Sequence, residues 1–294
     1  MAKAATLALA TVLAIGGPAS AAWNDPQQPF NVFGNTWYVG TKELSAILIT
    51  SPQGHVLLDG AVPESAPFIE KNIRELGFRV EDIKLILNSH AHIDHAGGIA
   101  ALQQASGAIV ATSAHGAQVL KDGTIGKDDP QFTAVKPDYF PKVANVKVVG
   151  EGEVLKAGAI AVTAHMTPGH TPGSTTWTWQ SCDGTKCLDV VYADSVTAVS
   201  QGDYRFSGGK GATDVSKLFK ASIDKIAALK CDVLLTTHPG ASSMMEKRAA
   251  KSATQNPFIN AGACRDLASR AHANLATRIA TEQGEKSAAV YSRD

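Results

Sequence analysis

Apolar and polar positions alternate in short bursts along this chain, and most bursts end in a polar loop that leads into a helix. The stretch "SAILITSPQGHVLLDG" (45–60) is two β-rich runs around a Ser-Pro-Gln-Gly turn. In "ESAPFIEKNIRELG" the residues Ile69, Ile73 and Leu76 recur at helical spacing and Gly77 stops the run, which predicts an amphipathic helix. "IKLILNS" (83–89) then reads as a strand, "GGIAALQQASG" as a short helix and "AIVATS" as another strand. From about residue 142 the order repeats loosely. "VANVKVV", "AIAVTAH", "TTWTWQ" and "LDVVYA" read as strands, "DVSKLFKASIDKIAAL" as a helix, and "CDVLLTT" as a strand ending at His238. A last helix spans roughly 262–284. Two strand-rich halves, each carrying helices, predict an α/β protein of the αβ/βα sandwich type, with two mixed sheets face to face and helices outside.

The N-terminus changes the picture of where this protein works. Lys3 precedes the apolar run "AATLALATVLAIG" and then "PASA", which reads as a signal peptide over 1–21 cut after Ala21. The run is shorter than the ~20 residues needed to span a bilayer. Residues 22–294 are then expected as one domain of two loosely similar halves, released into the periplasm with no membrane attachment. Lys and Arg number 27 and Asp and Glu 27, so no net charge recommends nucleic acid or an anionic membrane as partner. Four cysteines suit an oxidising compartment. Three pairings exist; a hairpin at "SCDGTKC" favours Cys182–Cys187 and leaves Cys231–Cys264 to tie the last helix to a strand.

The candidate chemistry begins where strand 83–89 ends, in "SHAHIDHAGG". Imidazole and carboxylate are good zinc ligands. His90 and His92 are two apart and point to one side of an extended backbone, while Asp94 and His95 follow a turn and face a second point. Gly97 and Gly98 admit a sharp turn into the next helix without a Cβ clash. His170 in "TPGHTPGST" and His238 in "TTHPG" sit on further strand-terminal loops, where sites collect. The donors divide evenly: His90, His92 and His170 for one zinc ion, and Asp94, His95 and His238 for a second, giving two Zn2+ per chain about 3.5–4 Å apart. His55, His115 and His272 read as ordinary core or surface histidines, and His165 as a neighbour of His170 rather than a ligand.

In order and spacing, "HAHIDH", "GHTPGST", "YADS" and "HPG" resemble the metallo-β-lactamase superfamily, and within it the third subclass (B3) of the class B β-lactamases. The resemblance covers nearly the whole mature chain, including "GNTWYVGT" (34–41) and "TTWTWQSC" (175–182). It implies hydrolysis of the β-lactam amide of penicillins, cephalosporins and carbapenems by a metal-bound hydroxide, hence antibiotic resistance, in a monomer that acts on small molecules. Asp94 would orient that hydroxide besides ligating. In the third subclass a serine occupies the place where related thioesterases and phosphodiesterases have a metal-bridging aspartate. Ser195 fits that place, and Asp194 takes it if the register slips by one. Ser195 and Thr197 would hydrogen-bond the substrate carboxylate. Gln131, in "DDPQF", is a candidate cap for the pocket and equally reads as a solvated glutamine. Two alternatives stand beside this reading: a secreted hydrolase of the same fold acting on thioesters, lactones or phosphodiesters, and a zinc carrier without catalysis.

Overall fold

A computed structural model describes residues 23–135, 138–209 and 213–284; the expected signal segment lies outside the described residues. Seven strands form one sheet in chain order: β1 (Phe30–Phe33), β2 (Thr36–Tyr38), β3 (Ile47–Ile49), β4 (His55–Leu58), β5 (Ile83–Leu87), β6 (Ile109–Thr112) and β7 (Val146–Val148). Its first four strands are antiparallel and β4 to β7 are parallel. The second sheet holds β8 (Val154–Ala157), β9 (Ile160–Met166), β10 (Thr175–Asp183), β11 (Lys186–Ala193) and β12 (Val233–Thr236), with only β11 and β12 parallel. The helices are α1 (Ala66–Glu75), α2 (Ile93–Ala96), α3 (Ile99–Ser106), α4 (Ala114–Asp122), α5 (Ser216–Ala228), α6 (Met244–Ala250) and α7 (Ala263–Glu282).

Successive strand side chains point to opposite faces, and the strands are apolar on both. Ile47 and Ile49 of β3, Val56 and Leu58 of β4, and Leu85 and Leu87 of β5 meet Val162, Trp177, Tyr192 and Leu235 of the second sheet in a shared inner core. Their alternates Leu48, Leu57 and Ile86 face outward, under Ile69 and Ile73 of α1, Leu102 of α3 and Leu120 of α4. On the far side Val191 and Leu234 lie under Phe219 and Ile223 of α5 and Leu267 and Leu275 of α7. Three apolar layers between four layers of secondary structure are the expected αβ/βα sandwich.

One detail departs from the sequence reading. The run "VANVKVV" was expected to open the second half, yet its strand β7 pairs with β6 and closes the first sheet, so the second begins at β8. A short, largely exposed edge strand carries no local mark of which sheet it joins. Gly97 and Gly98 form the expected turn between α2 and α3, with right-handed backbone at both. They are glycines because of close approach: a Cβ at Gly98 would overlap the Gly60 carbonyl oxygen, and one at Gly97 would overlap Pro63.

Both disulfides are present. Cys182 and Cys187 are directly opposite each other at the β10–β11 hairpin end, and Cys231–Cys264 ties the chain just before β12 to α7. Among the described residues no helix is long and apolar enough to cross a membrane.

Candidate metal centre

The strands β5, β9, β11 and β12 bring their carboxyl ends, or the loops beyond them, to one edge of the sandwich. Beyond β5, Asn88 and Ser89 are gripped by buried Asp59, the residue after β4. One carboxylate oxygen accepts from Asn88 Nδ2 at 3.0 Å and Ser89 N at 2.8 Å, the other from Ser89 Oγ at 2.6 Å and Tyr192 Oη at 2.8 Å. Burial outweighs these bonds and raises the Asp59 pKa to about 6. Asn88 Nδ2 also donates to the His90 carbonyl at 2.8 Å, so the histidine loop leaves the strand along a set path. His92 has extended backbone and precedes α2, whose first turn presents Asp94 and His95.

Two adjoining groups of donors result. The ligand atoms of His90, His92 and His170 lie within 4.8 Å of one another, as do those of His90, Asp94 and His95. His238 completes the second group: Asp94 Oδ2, His95 Nε2 and His238 Nε2 form a triangle with all three edges 3.2 Å. Zinc–ligand bonds of about 2.0–2.1 Å in a tetrahedron set donors roughly 3.3 Å apart, so this triangle fits a single ion. The first group fits by its free lone pairs. His90 Nδ1 is 2.6 Å from Asp194 Oδ1, His92 Nε2 is 3.1 Å from both Asp129 oxygens, and His170 Nδ1 is 2.9 Å from the Thr197 carbonyl oxygen. Each ring thus has one nitrogen held from behind and the other turned inward, and the buried Nε2 of His90 has no partner among the described residues. Each group draws on both sheets: His90, His92, Asp94 and His95 follow β5, while His170 and His238 follow β9 and β12.

The electrostatics separate the groups. Burial, reinforced by the His90 and His92 rings, pushes His170 down to about 3, and burial drives His90 well below the usual imidazole range. Both are neutral and offer a lone pair. Burial also pulls His95 down, but the adjacent Asp94 carboxylate prevails and raises it to about 9. Burial alone would raise Asp94; His95 and His238 instead hold it well below the ordinary carboxylate range. An ion entering this second group therefore displaces a proton.

A cavity of about 520 Å³ opens over both groups, lined by His92, Asp94, His170 and His238 and by the expected Gln131, Ser195 and Thr197. Asp194 also reaches its wall, but its carboxylate stands behind His90. The Ser195 hydroxyl lies 2.9 Å from Thr237 Oγ1, and the Thr197 hydroxyl 3.1 Å from His170 Nδ1. Gln131 Nε2 is 3.4 Å from His170 Nε2. The remaining histidines lie elsewhere: His165 Nε2 bonds Thr178 Oγ1 at 2.9 Å, His115 Nε2 pairs with Asp128 at 3.0 Å and His272 Nε2 with Asp224 at 2.7 Å. His55 is buried beneath Phe78. Sequence reading missed Asp129 and the orienting place of Asp194. The only signal for Asp129 was its position two residues before Gln131.

A sandwich whose strand ends gather two such donor groups beside a cavity defines a metal-binding protein. The family model described as the metallo-beta-lactamase superfamily matches residues 43–238, and the chain belongs to that superfamily. Solved structures place it further, among the subclass B3 metallo-beta-lactamases. A subclass B3 metallo-beta-lactamase from a soil metagenome library, MEM-A1, is 48% identical, with a TM-score of 0.86 over 90% of this chain and 100% of that one. The Rm3 metallo-beta-lactamase is also 48% identical, with a TM-score of 0.87 over 91% of this chain and 99% of that one. A curated relative, the hydroxyacylglutathione hydrolase of Anaeromyxobacter dehalogenans (strain 2CP-C), is 32% identical over 155 residues, 53% of this chain. The match spans 46%, about half, of that relative's length.

Proposed function

We propose that this protein is a zinc-dependent hydrolase of the β-lactam amide in penicillins, cephalosporins and carbapenems, working as a periplasmic monomer and conferring antibiotic resistance. The observation that carries the reading is the pair of adjoining donor groups facing one cavity. His90, His92 and His170 would hold one zinc ion, and Asp94, His95 and His238 a second. Zinc there supplies Lewis acidity and lowers the pKa of water from 15.7 to about 7.

The chain's own residues supply the rest. Asp194, Asp129 and the Thr197 carbonyl fix which nitrogen each imidazole offers. Asp94 stays anionic and can accept a hydrogen bond from a proton-bearing atom at the reacting centre while holding its ion. The Thr197 hydroxyl can accept from His170 Nδ1 and keep its own proton to donate, and Ser195 with Thr237 forms a second hydroxyl pair. These hydroxyls suit the carboxylate that β-lactams carry. Gln131 reaches in from the loop above His170.

The test is an initial-rate assay on a carbapenem with and without a strong chelator, run beside a thioester. Chelator-sensitive carbapenem hydrolysis restored by zinc supports the reading. Thioester hydrolysis alone would transfer it to the activity named for the Anaeromyxobacter relative. Zinc uptake without turnover of either would leave a carrier. Export is tested by N-terminal sequencing of periplasmic protein, expected to start at Ala22, and the monomer by size exclusion.

A further inference from the structure

His92 differs from its two partners in what holds it. His90 and His170 are oriented by Asp194 and Thr197, which follow β11 directly, and both present Nε2 inward. His92 is held at Nε2, and so presents Nδ1, by a residue from the long connection between α4 and β7. That residue, Asp129, is 2% exposed, and both its oxygens lie 3.1 Å from the ring nitrogen. A carboxylate only accepts, so Nε2 carries the proton and the lone pair is confined to Nδ1.

Asp129 is also the knot of its own segment, residues 126–132. Its N–H donates to the Gly126 carbonyl at 3.1 Å, its carbonyl accepts from Phe132 N at 3.1 Å, and Oδ1 accepts from Gln131 N at 2.8 Å. The segment is pinned outside by Asp128 to His115 and by the Pro130 carbonyl, which accepts from Gln201 N at 2.9 Å. Its inward anchor is Asp129 to His92, through the nitrogen that an ion would not use; Gln131 Nε2 lies 3.4 Å from the His170 nitrogen that an ion would take. It therefore runs beside the cavity like a strap, with Gln131 in the cavity lining and Asp129 fastening it to one candidate ligand.

We propose that Asp129 is a positioning residue that couples metal capture at His92 to the ordering of the 126–132 strap. The inference rests on the metal-centre reading above. By linkage, whatever factor strap ordering adds to zinc affinity, zinc adds to strap ordering.

The experiment compares wild type with Asp129→Ala and Asp129→Asn. Zinc affinity is read by competition with a chromophoric chelator, and strap order by amide hydrogen exchange over 126–132 with and without zinc. We expect zinc to slow strap exchange in wild type and Asp129→Ala to bind one ion about 10–100-fold more weakly, with that protection lost. Asp129→Asn, whose amide oxygen still accepts from Nε2–H, falls between the two and serves alone where the alanine variant does not fold. Unchanged zinc affinity in folded variants, or undiminished zinc-induced protection of the strap, overturns the proposal while leaving the metal centre standing. A wild-type chain that takes up no zinc overturns both.

Discussion

The two disulfides close loops of very different size, and their removal should therefore weaken the protein unequally. The partners are 5 residues apart for Cys182–Cys187 and 33 for Cys231–Cys264. Chain-entropy estimates give about 2 kcal/mol for the short loop and about 3.7 kcal/mol for the long one at 25 °C. Packing widens the gap, because Cys231 and Cys264 are buried in the core beneath α5 and α7 while Cys182 and Cys187 are exposed. The variants are Cys231→Ala/Cys264→Ala and Cys182→Ala/Cys187→Ala, unfolded in urea with chelator throughout so that metal binding contributes equally to none of them. The long-loop variant should lose about 4 kcal/mol and, from the size of the chain, roughly 7–15 °C in Tm. The hairpin variant should lose about half as much free energy. Function gives a second readout: α7 places Leu267, Arg270 and Asn274 in the cavity wall but contributes no candidate metal donor. Loosening it should raise KM more than it lowers kcat, and the hairpin variant should leave both alone. Equal losses of stability, or a larger loss from the hairpin pair, would refute the loop-length reasoning.

His90→Ala and His238→Ala each remove a donor from one group, and each should lower carbapenem hydrolysis by orders of magnitude; near-wild-type turnover in either would remove that residue from the centre. Ser195→Ala should raise KM with kcat nearly unchanged, because a carboxylate contact is felt alike in ground and transition states. An unaltered KM would end that assignment. Tyr192→Phe deletes a donor to buried Asp59 and should lower stability by about 1.5–3 kcal/mol in urea titrations, whereas a neutral effect would show that the Asp59 bonds do not hold the histidine loop.

What could be read from the chain depended on how locally each feature is encoded. β5 and the "HAHIDH" turn were legible because strand, turn and donor spacing are contiguous, and His170 and His238 because each lies on a loop just beyond a strand. The helix α4 went unread although Ser113 caps it, accepting from Gly116 N at 3.2 Å, and Gly123 ends it at φ 72. Its apolar face is only four residues, Gly116, Ala117, Val119 and Leu120, too small to stand out as a period. The strands β1 and β2 have 4 and 3 residues, short of what alternation can certify. Asp129 and Asp194 act through contacts with residues 37 and 104 positions away, and such pairings exist only once the chain has folded. The glycines at 97 and 98 were legible as a turn that excludes a Cβ, while the atoms that crowd them, the Gly60 carbonyl and Pro63, are brought there only by folding.

Because each donor group takes ligands from both leaves of the sandwich, a bound ion acts as a rivet across the inner core. Holding free zinc at 1,000 times its dissociation constant adds about 4 kcal/mol at one such rivet. A cell starved of zinc would then hold a chain whose leaves part more readily at this edge, and proteases would meet it in a form they can cut. Nutrient supply would in that way govern how long the protein survives as well as how fast it works, a prediction that a degradation time course at limiting and replete zinc would check.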